Sequence, residues 1–462
     1  MAQDAETEAM KISGDENNEA IPGLVGDANG MELLREVVED GEHKPLSEDD
    51  VVEEIVMEKT GLSDIPNGGL TAWLQVSGSF FLFMNSWGIS NTFGAFEAYY
   101  IDINLSNKTA SDIAWIGSMQ NFLLLIIGVF TGPMFDQGYF RSFILLSTFM
   151  ITFGMMMLSL CKEYWQVMLA QALVVGLGSG FMFIPCVAVI PQYFTSKRIL
   201  ATGIAASGSS LGGVIYPIIF HKLEPRVGFG WATRVIGFIM LATQCWSLAV
   251  MRLRVPPSTG PRKLFDASAL REPPFIALSL AIFLGFMGVY IPFYYIQEYA
   301  VSNGIFKSET AFYLLTILNA ASVFGRIVPN FLADKTGPMN ILIPFTVIAS
   351  IIAFTWTSAT SKAGIVLIAV FYGFFSGTFV SLPPSCIIAV TPDLGVLGTR
   401  MGMVFSLCSI GLLVGTPIAG AILDNSGYTA TSIFCGCIVM ASAGLVTASR
   451  LFKTGLKFKA RT

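Results

Sequence analysis

WQVMLAQALVVGLGSGFMFIPCVAVI, running from Trp165 to Ile190, holds no charged side chain. As a helix rising ~1.5 Å per residue it is long enough to cross the ~30 Å hydrocarbon core of a bilayer. Comparable stretches recur along the chain, at about 71–97, 112–134, 141–160, 165–190, 199–221, 231–252, 274–299, 309–332, 339–359, 363–389, 397–423 and 429–451. The composition is 53% hydrophobic and 13% charged, too little charge to cover a soluble domain of this size. No water is available inside the bilayer, so each backbone amide must be satisfied within its own helix. The sequence therefore reads as an all-α membrane protein with 12 transmembrane helices.

The net charge of −5 hides two opposed parts. Of the 32 acids and 27 bases, residues 1–65 take 19 and 4, leaving 13 and 23 for the rest. The head is expected to be an acidic, disordered tail, with a short helix possible at 31–38. It lacks a basic, apolar, cleavable leader, so the first span is expected to act as the insertion signal. Placing this tail in the cytoplasm fixes every loop by alternation. It assigns 16 of the 23 remaining bases to the cytoplasmic side, among them Arg141, Lys197, Arg198, Arg326, Lys335 and Arg400. That bias follows the positive-inside tendency. Two glycosylation sequons, at Asn104 and Asn107, fall in the first outer loop. The plasma membrane is the expected location, with the vacuolar membrane as the alternative.

Seven cysteines sit in or beside spans without ligand spacing, and His43 and His221 are far apart. They predict no metal and no cofactor. No nucleophile–base pair, nucleotide-binding loop or nucleic-acid surface stands out, so an enzyme is not expected. Oligomeric state stays open.

The organisation predicted is 1–65 tail, 66–252 first six-helix half, 253–273 linker, 274–451 second half and 452–462 basic tail. The linker carries Pro256-Pro257 and Gly260-Pro261, a composition expected to be flexible. The halves echo each other. Gly132-Pro-Met-Phe-Asp136-Gln-Gly138-Tyr-Phe-Arg141 joins spans two and three, and Asn330-Phe-Leu-Ala-Asp334-Lys335-Thr-Gly337-Pro joins spans eight and nine. Gly212-Gly213-Val-Ile-Tyr-Pro217 likewise answers Gly411-Leu-Leu-Val-Gly415-Thr-Pro417. Doubling of this kind is how many secondary transporters make two states, by rocking one half against the other. Asp136, Arg141, Asp334 and Lys335 are candidate gate elements, with plain turn and capping chemistry as the alternative.

Two segments resemble the monocarboxylate-porter branch of the major facilitator superfamily, and its fungal members most. One is Pro66-Asn67-Gly68-Gly69-Leu70-Thr71-Ala72-Trp73. The other begins Tyr193-Phe194-Thr-Ser-Lys197-Arg198 and continues through Gly203 and Gly208 to Gly212. Gly203, Ser207, Gly208 and Gly212 put small residues on one side of span five, where helices approach closely; packing and a part in alternating access are both open. The resemblance implies a 12-helix major facilitator fold of two pseudo-symmetric halves. It also implies secondary transport of a small-molecule organic substrate.

Arg326 is the clear buried charge, placed about a turn and a half from the predicted end of span eight. In the resembled family an arginine here binds the substrate carboxylate, a task suited to its two parallel donors. Snorkelling to the surface, or pairing with Asp334, is the alternative. The resemblance places the animal carriers' lysine near Ser90 or Asn91 and their acid at Ser322, so both charges are absent here. Asn91, Ser322, Asn319 and Tyr290 complete the candidate substrate-binding set. Trp87, Phe293 and Tyr294 could line a pathway or simply pack. The expected substrate is an organic acid or secondary metabolite, with an efflux role; vitamin (riboflavin-like) or monocarboxylate uptake, and a non-transporting nutrient sensor, are the alternatives. Glu97 and Asp112 lie near the outer ends, which leaves no obvious proton carrier in the membrane interior.

The charge count generates a topology test. Tags at both termini are expected to be protected from protease in intact cells, and a glycan to be attached in the Asn104–Thr109 loop. Tags digested from outside would reject this orientation.

Overall fold

The computed structural model describes residues 67–254, 265–391 and 396–455. The acidic head with its 31–38 helix and His43, the middle of the linker, Asp393 and residues 456–462 lie outside the described residues. Regular structure among the described residues is helical throughout. We number the crossings α1 Gly69–Asn91, α2 Asp112–Phe135, α3 Phe140–Leu158, α4 Tyr164–Gln192, α5 198–227, α6 229–250, α7 Pro273–Ser302, α8 Thr310–Thr336, α9 Pro338–Ser358, α10 Lys362–Val390, α11 397–426 and α12 428–454.

Nine described stretches are long and apolar enough to cross a membrane, and two of these are double-length, Arg198–Val250 and Leu397–Thr454. Each is interrupted by one glycine in the left-handed region, Gly228 at φ 77° and Gly427 at φ 78°. The first doubles back, because both its ends meet the start of α1. Asn67 accepts hydrogen bonds from Thr195 N and Ser196 N at 3.1 Å, and Gln75 accepts one from Arg252 N at 2.8 Å. α1 is polar for a crossing, carrying Gln75 and Asn85, both buried and hydrogen-bonded to other helices. Two folded stretches counted twice, together with α1, make the expected twelve.

The repeat is visible in the backbone. Gly228 and Gly427 stand 199 positions apart, as do Gly138 and Gly337, which turn α2 into α3 and α8 into α9 at φ 92° and 98°. An L side chain is strained at such angles. The same offset relates close helix approaches. A Cβ on Gly212 would stand 2.7 Å from Met84 O, and one on Gly411 2.7 Å from Phe283 O. Thus α5 lies on α1 as α11 lies on α7. The helices are also interrupted near equivalent places, α1 after Asn91 and α7 at Tyr290.

The two halves touch along a seam from end to end. At the end where the linker attaches, a Cβ on Gly132 of α2 would meet Gly398 O of α11 at 2.6 Å, and further in one on Gly203 of α5 would meet Arg326 O of α8 at 2.3 Å. At the far end the Asn121 amide donates to the Tyr294 hydroxyl at 3.2 Å, and His221 stacks on Phe312 at 4.6 Å. The outer surface is apolar, with Phe149, Leu145 and Phe324 more than half exposed, as lipid-facing helices require.

The predicted linker is tied at both of its described ends. Arg254 N donates to Gln192 Oε1 at 3.0 Å. Arg400, buried at the base of α11, donates to Asp266 at 2.9 Å and grips Glu272 through two nitrogens at 2.9 and 2.6 Å. The Ser268 hydroxyl, with Arg400 beside it, holds the Asp266 carboxyl below its ordinary range.

Glycine contacts of this kind predict sharp positional effects. A Cβ on Gly208 would fall 2.0 Å from Phe80 O, whereas one on Gly444 would meet nothing within 4 Å. Gly208→Ala is expected to destabilise by about 1–3 kcal/mol, the usual cost of overpacking. Gly444→Ala is expected to be neutral or slightly stabilising. Thermal unfolding of the two purified variants checks the contrast.

Candidate functional site

Helix α8 extends to Thr336, a turn beyond its predicted end, because Ala333 to Thr336 are polar or small but still helical. Arg326 is therefore ten residues from the helix end, about 15 Å at ~1.5 Å per residue, and not a turn and a half. It is 2% exposed, while Phe324, two residues earlier and nearly opposite on the helix, is 63% exposed. The guanidinium faces the seam. Arg326 accordingly leaves the count of cytoplasmic loop bases.

Neither snorkelling nor Asp334 accounts for it. The Asp334 carboxylate accepts from Ile199 N and Leu200 N, each at 2.9 Å. It thereby caps the first turn of α5 from the other half, where free amides and the helix dipole favour an anion. Arg326 instead donates through Nη1 to Ala206 O at 3.0 Å and to the Ser209 hydroxyl, and through Nε to Ser322 Oγ at 3.2 Å. Among the described residues no carboxylate pairs with it. The family resemblance put an acid at Ser322; a hydroxyl there supplies a hydrogen bond without a counter-charge.

One stretch of α5, residues 206–213, gathers most of the predicted set. Asn91 Nδ2 donates to Ser209 O at 3.5 Å, and Ser210 Oγ donates to Ser322 Oγ at 3.1 Å. Asn319 lies beside Gly213, where a Cβ would stand 2.8 Å from its Oδ1. Asn319, Ser322 and Arg326 share one face of α8, being spaced by three, four and seven residues. The Asn319 amide nitrogen donates to Leu315 O at 3.1 Å, but its Oδ1 is buried without a partner among the described residues.

Tyr290 completes the group from α7. It sits at the helix break. Its ring stacks on Trp87 of α1 across the seam, with centroids 6.0 Å apart and planes 8° apart. Phe286 and Phe183 also pack on Trp87, at 6.1 and 6.0 Å. Trp87, Tyr290 and Phe293 are buried, Phe293 against Tyr290 and Tyr372 of its own half. Phe183, Phe286 and Asn121 were not anticipated. Aromatics are scattered through every span, and no sequence period distinguishes a seam-facing ring from a lipid-facing one.

The remaining predicted residues lie elsewhere. Tyr193 donates to Arg252 O at 2.9 Å and Phe194 packs edge-on against Trp73 at 5.2 Å. The first motif segment and the start of the second therefore touch each other at the linker end, while the later part of the second, residues 203–212, reaches Arg326. Lys197 and Arg141 are exposed; Arg198 is half-buried, within electrostatic range of Asp334. Lys335 is exposed over the Phe331 ring at 4.7 Å. The Asp136 side chain lies outside the described residues. Gly203, Gly208 and Gly212 pack on α8 and α1. Asn107 is exposed, whereas the Asn104 side-chain nitrogen is buried without a partner. Asp112 forms a capping box with Thr109 at 3.1 Å in both directions. Glu97 is half-buried in the short helical segment Phe93–Tyr99 that follows the break in α1.

A family model described as Major Facilitator Superfamily matches residues 76–395. The MFS-type transporter dbaD of Emericella nidulans is 48% identical over 363 residues, covering 79% of this chain and 82% of that protein. The aspyridones efflux protein apdF of the same species is 37% identical over 388 residues, covering 84% and 79%. The agnestins efflux protein AgnL12 of Paecilomyces divaricatus is 40% identical over 392 residues, covering 84% and 90%. Among solved structures, the E. coli fucose:proton symporter FucP superposes with a TM-score of 0.61 at 17% identity, covering 84% of this chain and 98% of that one. The human organic anion transporter MFSD10 gives 0.60 at 14%, covering 81% and 98%. At such identities these two establish the fold alone. Family model, relatives, fold and apolar helices agree: this chain belongs to the Major Facilitator Superfamily and is a multi-pass membrane transporter.

Proposed function

We propose that the chain exports a small organic acid or secondary metabolite across the plasma membrane by alternating access, with both termini in the cytoplasm. The observation that carries the reading is Arg326. A permanent cation is held by neutral groups at mid-depth in the seam between two halves, and no carboxylate of the described chain answers it. Burying such a charge costs at least ~2.5–3.5 kcal/mol on insertion scales, a cost that a passing anion offsets. Direction comes from the relatives, two of which are named efflux proteins. The monocarboxylate-porter-like branch fits this placement of the arginine, while Ser322 and Asn91 in place of charged groups favour a larger, less charged solute than lactate.

Alternation follows from the seam. Asp334 holds the first turn of α5 at the linker end, and Asn121 with Tyr294 closes the far end. Opening one end breaks one set of contacts and keeps the other. Glu97, half-buried just beyond the break in α1, is the titratable group left to couple protons. Asp112 is committed to its capping box.

Deleting the gene in a producing strain is expected to raise the intracellular level of at least one organic acid and lower it outside; unchanged metabolite profiles would sink the reading. In vesicles, Arg326→Lys keeps the charge but loses the planar fork, so transport should fall about 10-fold or more at normal abundance, on the scale of one charge-assisted hydrogen bond. Kinetics unaltered in both Arg326→Lys and Arg326→Ala would remove Arg326 from the site. With a non-titrating substrate, an imposed pH gradient should produce no uphill accumulation. Accumulation that Glu97→Gln abolishes would instead identify Glu97 as the proton carrier.

A further inference from the structure

Six tyrosines are buried among the described residues, Tyr100, Tyr193, Tyr216, Tyr290, Tyr299 and Tyr372. Five donate a hydrogen bond, to Gln171, Arg252 O, Asn85, Thr357 O and Val289 O respectively. Tyr290 does not: its hydroxyl is buried and without a partner. Buried hydroxyls are ordinarily satisfied, and an exception calls for a physical cause. This one marks the break in α7 and stacks on Trp87, whose chain neighbour Gly88 packs on Ser209, where a Cβ would stand 3.4 Å from Ser209 O; Arg326 donates to the hydroxyl of that same serine. A second unpartnered atom, Asn319 Oδ1, is borne on the same face of α8 as Arg326 and is fully buried.

The rings supply the complementary half. Trp87 belongs to the first half and Tyr290 to the second, and they lie parallel within 8°. When the halves part, two flat π faces separate around a cation and an unpaired phenol. A ring from solution can then replace either partner in the stack, with offset-parallel geometry already set. An aliphatic chain gains area there but no such geometry.

We propose that Trp87 and Tyr290 form a slot for a planar conjugated ring bearing an ionised oxygen, the ring stacking on Trp87 and the oxygen meeting Arg326 and the Tyr290 hydroxyl. This rests on the seam around Arg326 being the substrate site and adds the class of substrate it takes. Carboxylate and phenolate share the required chemistry.

The experiment uses the purified full chain and three probes of similar size. They are 2-hydroxybenzoate, planar and anionic; cyclohexanecarboxylate, anionic but puckered; and benzamide, planar but neutral. Calorimetric titration of the wild type is expected to show 2-hydroxybenzoate binding roughly 5-fold or more tightly than either of the others, on the scale of one aromatic stack or one charge-assisted contact. Trp87→Leu should bring 2-hydroxybenzoate down to the level of cyclohexanecarboxylate, and Trp87→Phe should restore most of the preference. Arg326→Gln should erase the difference between 2-hydroxybenzoate and benzamide while leaving the ring preference. Equal binding of the two acids by the wild type overturns the slot without reference to any variant, as does an unchanged ratio in a folded Trp87→Leu protein. An export defect with no ring preference in binding would leave the transport reading standing and remove only the slot.

Discussion

A guanidinium held in the middle of an apolar bundle by hydroxyls and one helix carbonyl is the constraint from which the rest of this structure follows. Arg326 is 2% exposed, ten residues inside α8, so another helix must satisfy it while the seam is closed. α5 does so, and it can because Gly203 and Gly213 bring its backbone within contact of α8. The same helix must also rest on α1, which Gly208 and Gly212 allow. Residues that look like a packing stripe therefore set how close the two halves stand and where the only charge at that depth, among the described residues, is presented.

The internal repeat explains why one helix serves both contacts. α11 repeats the approach of α5 to its partner at an offset of 199 positions, down to the same 2.7 Å clearance. Polar chemistry then departs from symmetry. Asn91 and Tyr290 occupy equivalent places at the breaks in α1 and α7, yet one is an amide and the other a phenol. The two halves share a scaffold and contribute different groups to the seam, as expected when a doubled fold has specialised around one central site.

Much of this was legible in the sequence, and the reasons are physical. Hydrocarbon imposes its length on every crossing, so the spans and the 6+6 plan followed from apolar runs and from the paired Asp–Gly turns. Arg326 was recognisable as a buried charge because charges within spans are scarce. Its depth was not. Hydropathy marks where apolar residues stop, whereas α8 continues through Ala333, Asp334, Lys335 and Thr336 as regular helix. Asp334 reads as a gate element or as a turn and cap residue for the next helix; that it caps a helix of the other half instead depends on tertiary approach, which no local pattern encodes. The Trp87–Tyr290 stack was equally hidden, since residues 203 positions apart in different halves become neighbours only through the seam. The motif residues divide between two tasks: Asn67, Trp73, Tyr193 and Phe194 fasten the ends of α1, α4 and α6 together, whereas the α5 part of the motif, from Gly203 to Gly212, packs around Arg326 and on α1.

The ties at the two ends of the linker have a consequence for how strong the seam must be. Arg254 is fixed to the first half through Gln192, and Asp266 to the second through Arg400. Whatever path residues 255–264 take, about a dozen peptide steps join the fixed points, a maximum reach of roughly 40 Å. Each half is therefore never more than that far from its mate. A tether of this length keeps the local concentration of one half around the other in about the millimolar range even while every contact at one end is broken. The seam need not provide the affinity of an ordinary subunit interface. It can consist of a few hydrogen bonds, glycine contacts and stacked rings, weak enough to be exchanged in each cycle, because covalent connectivity supplies the reunion.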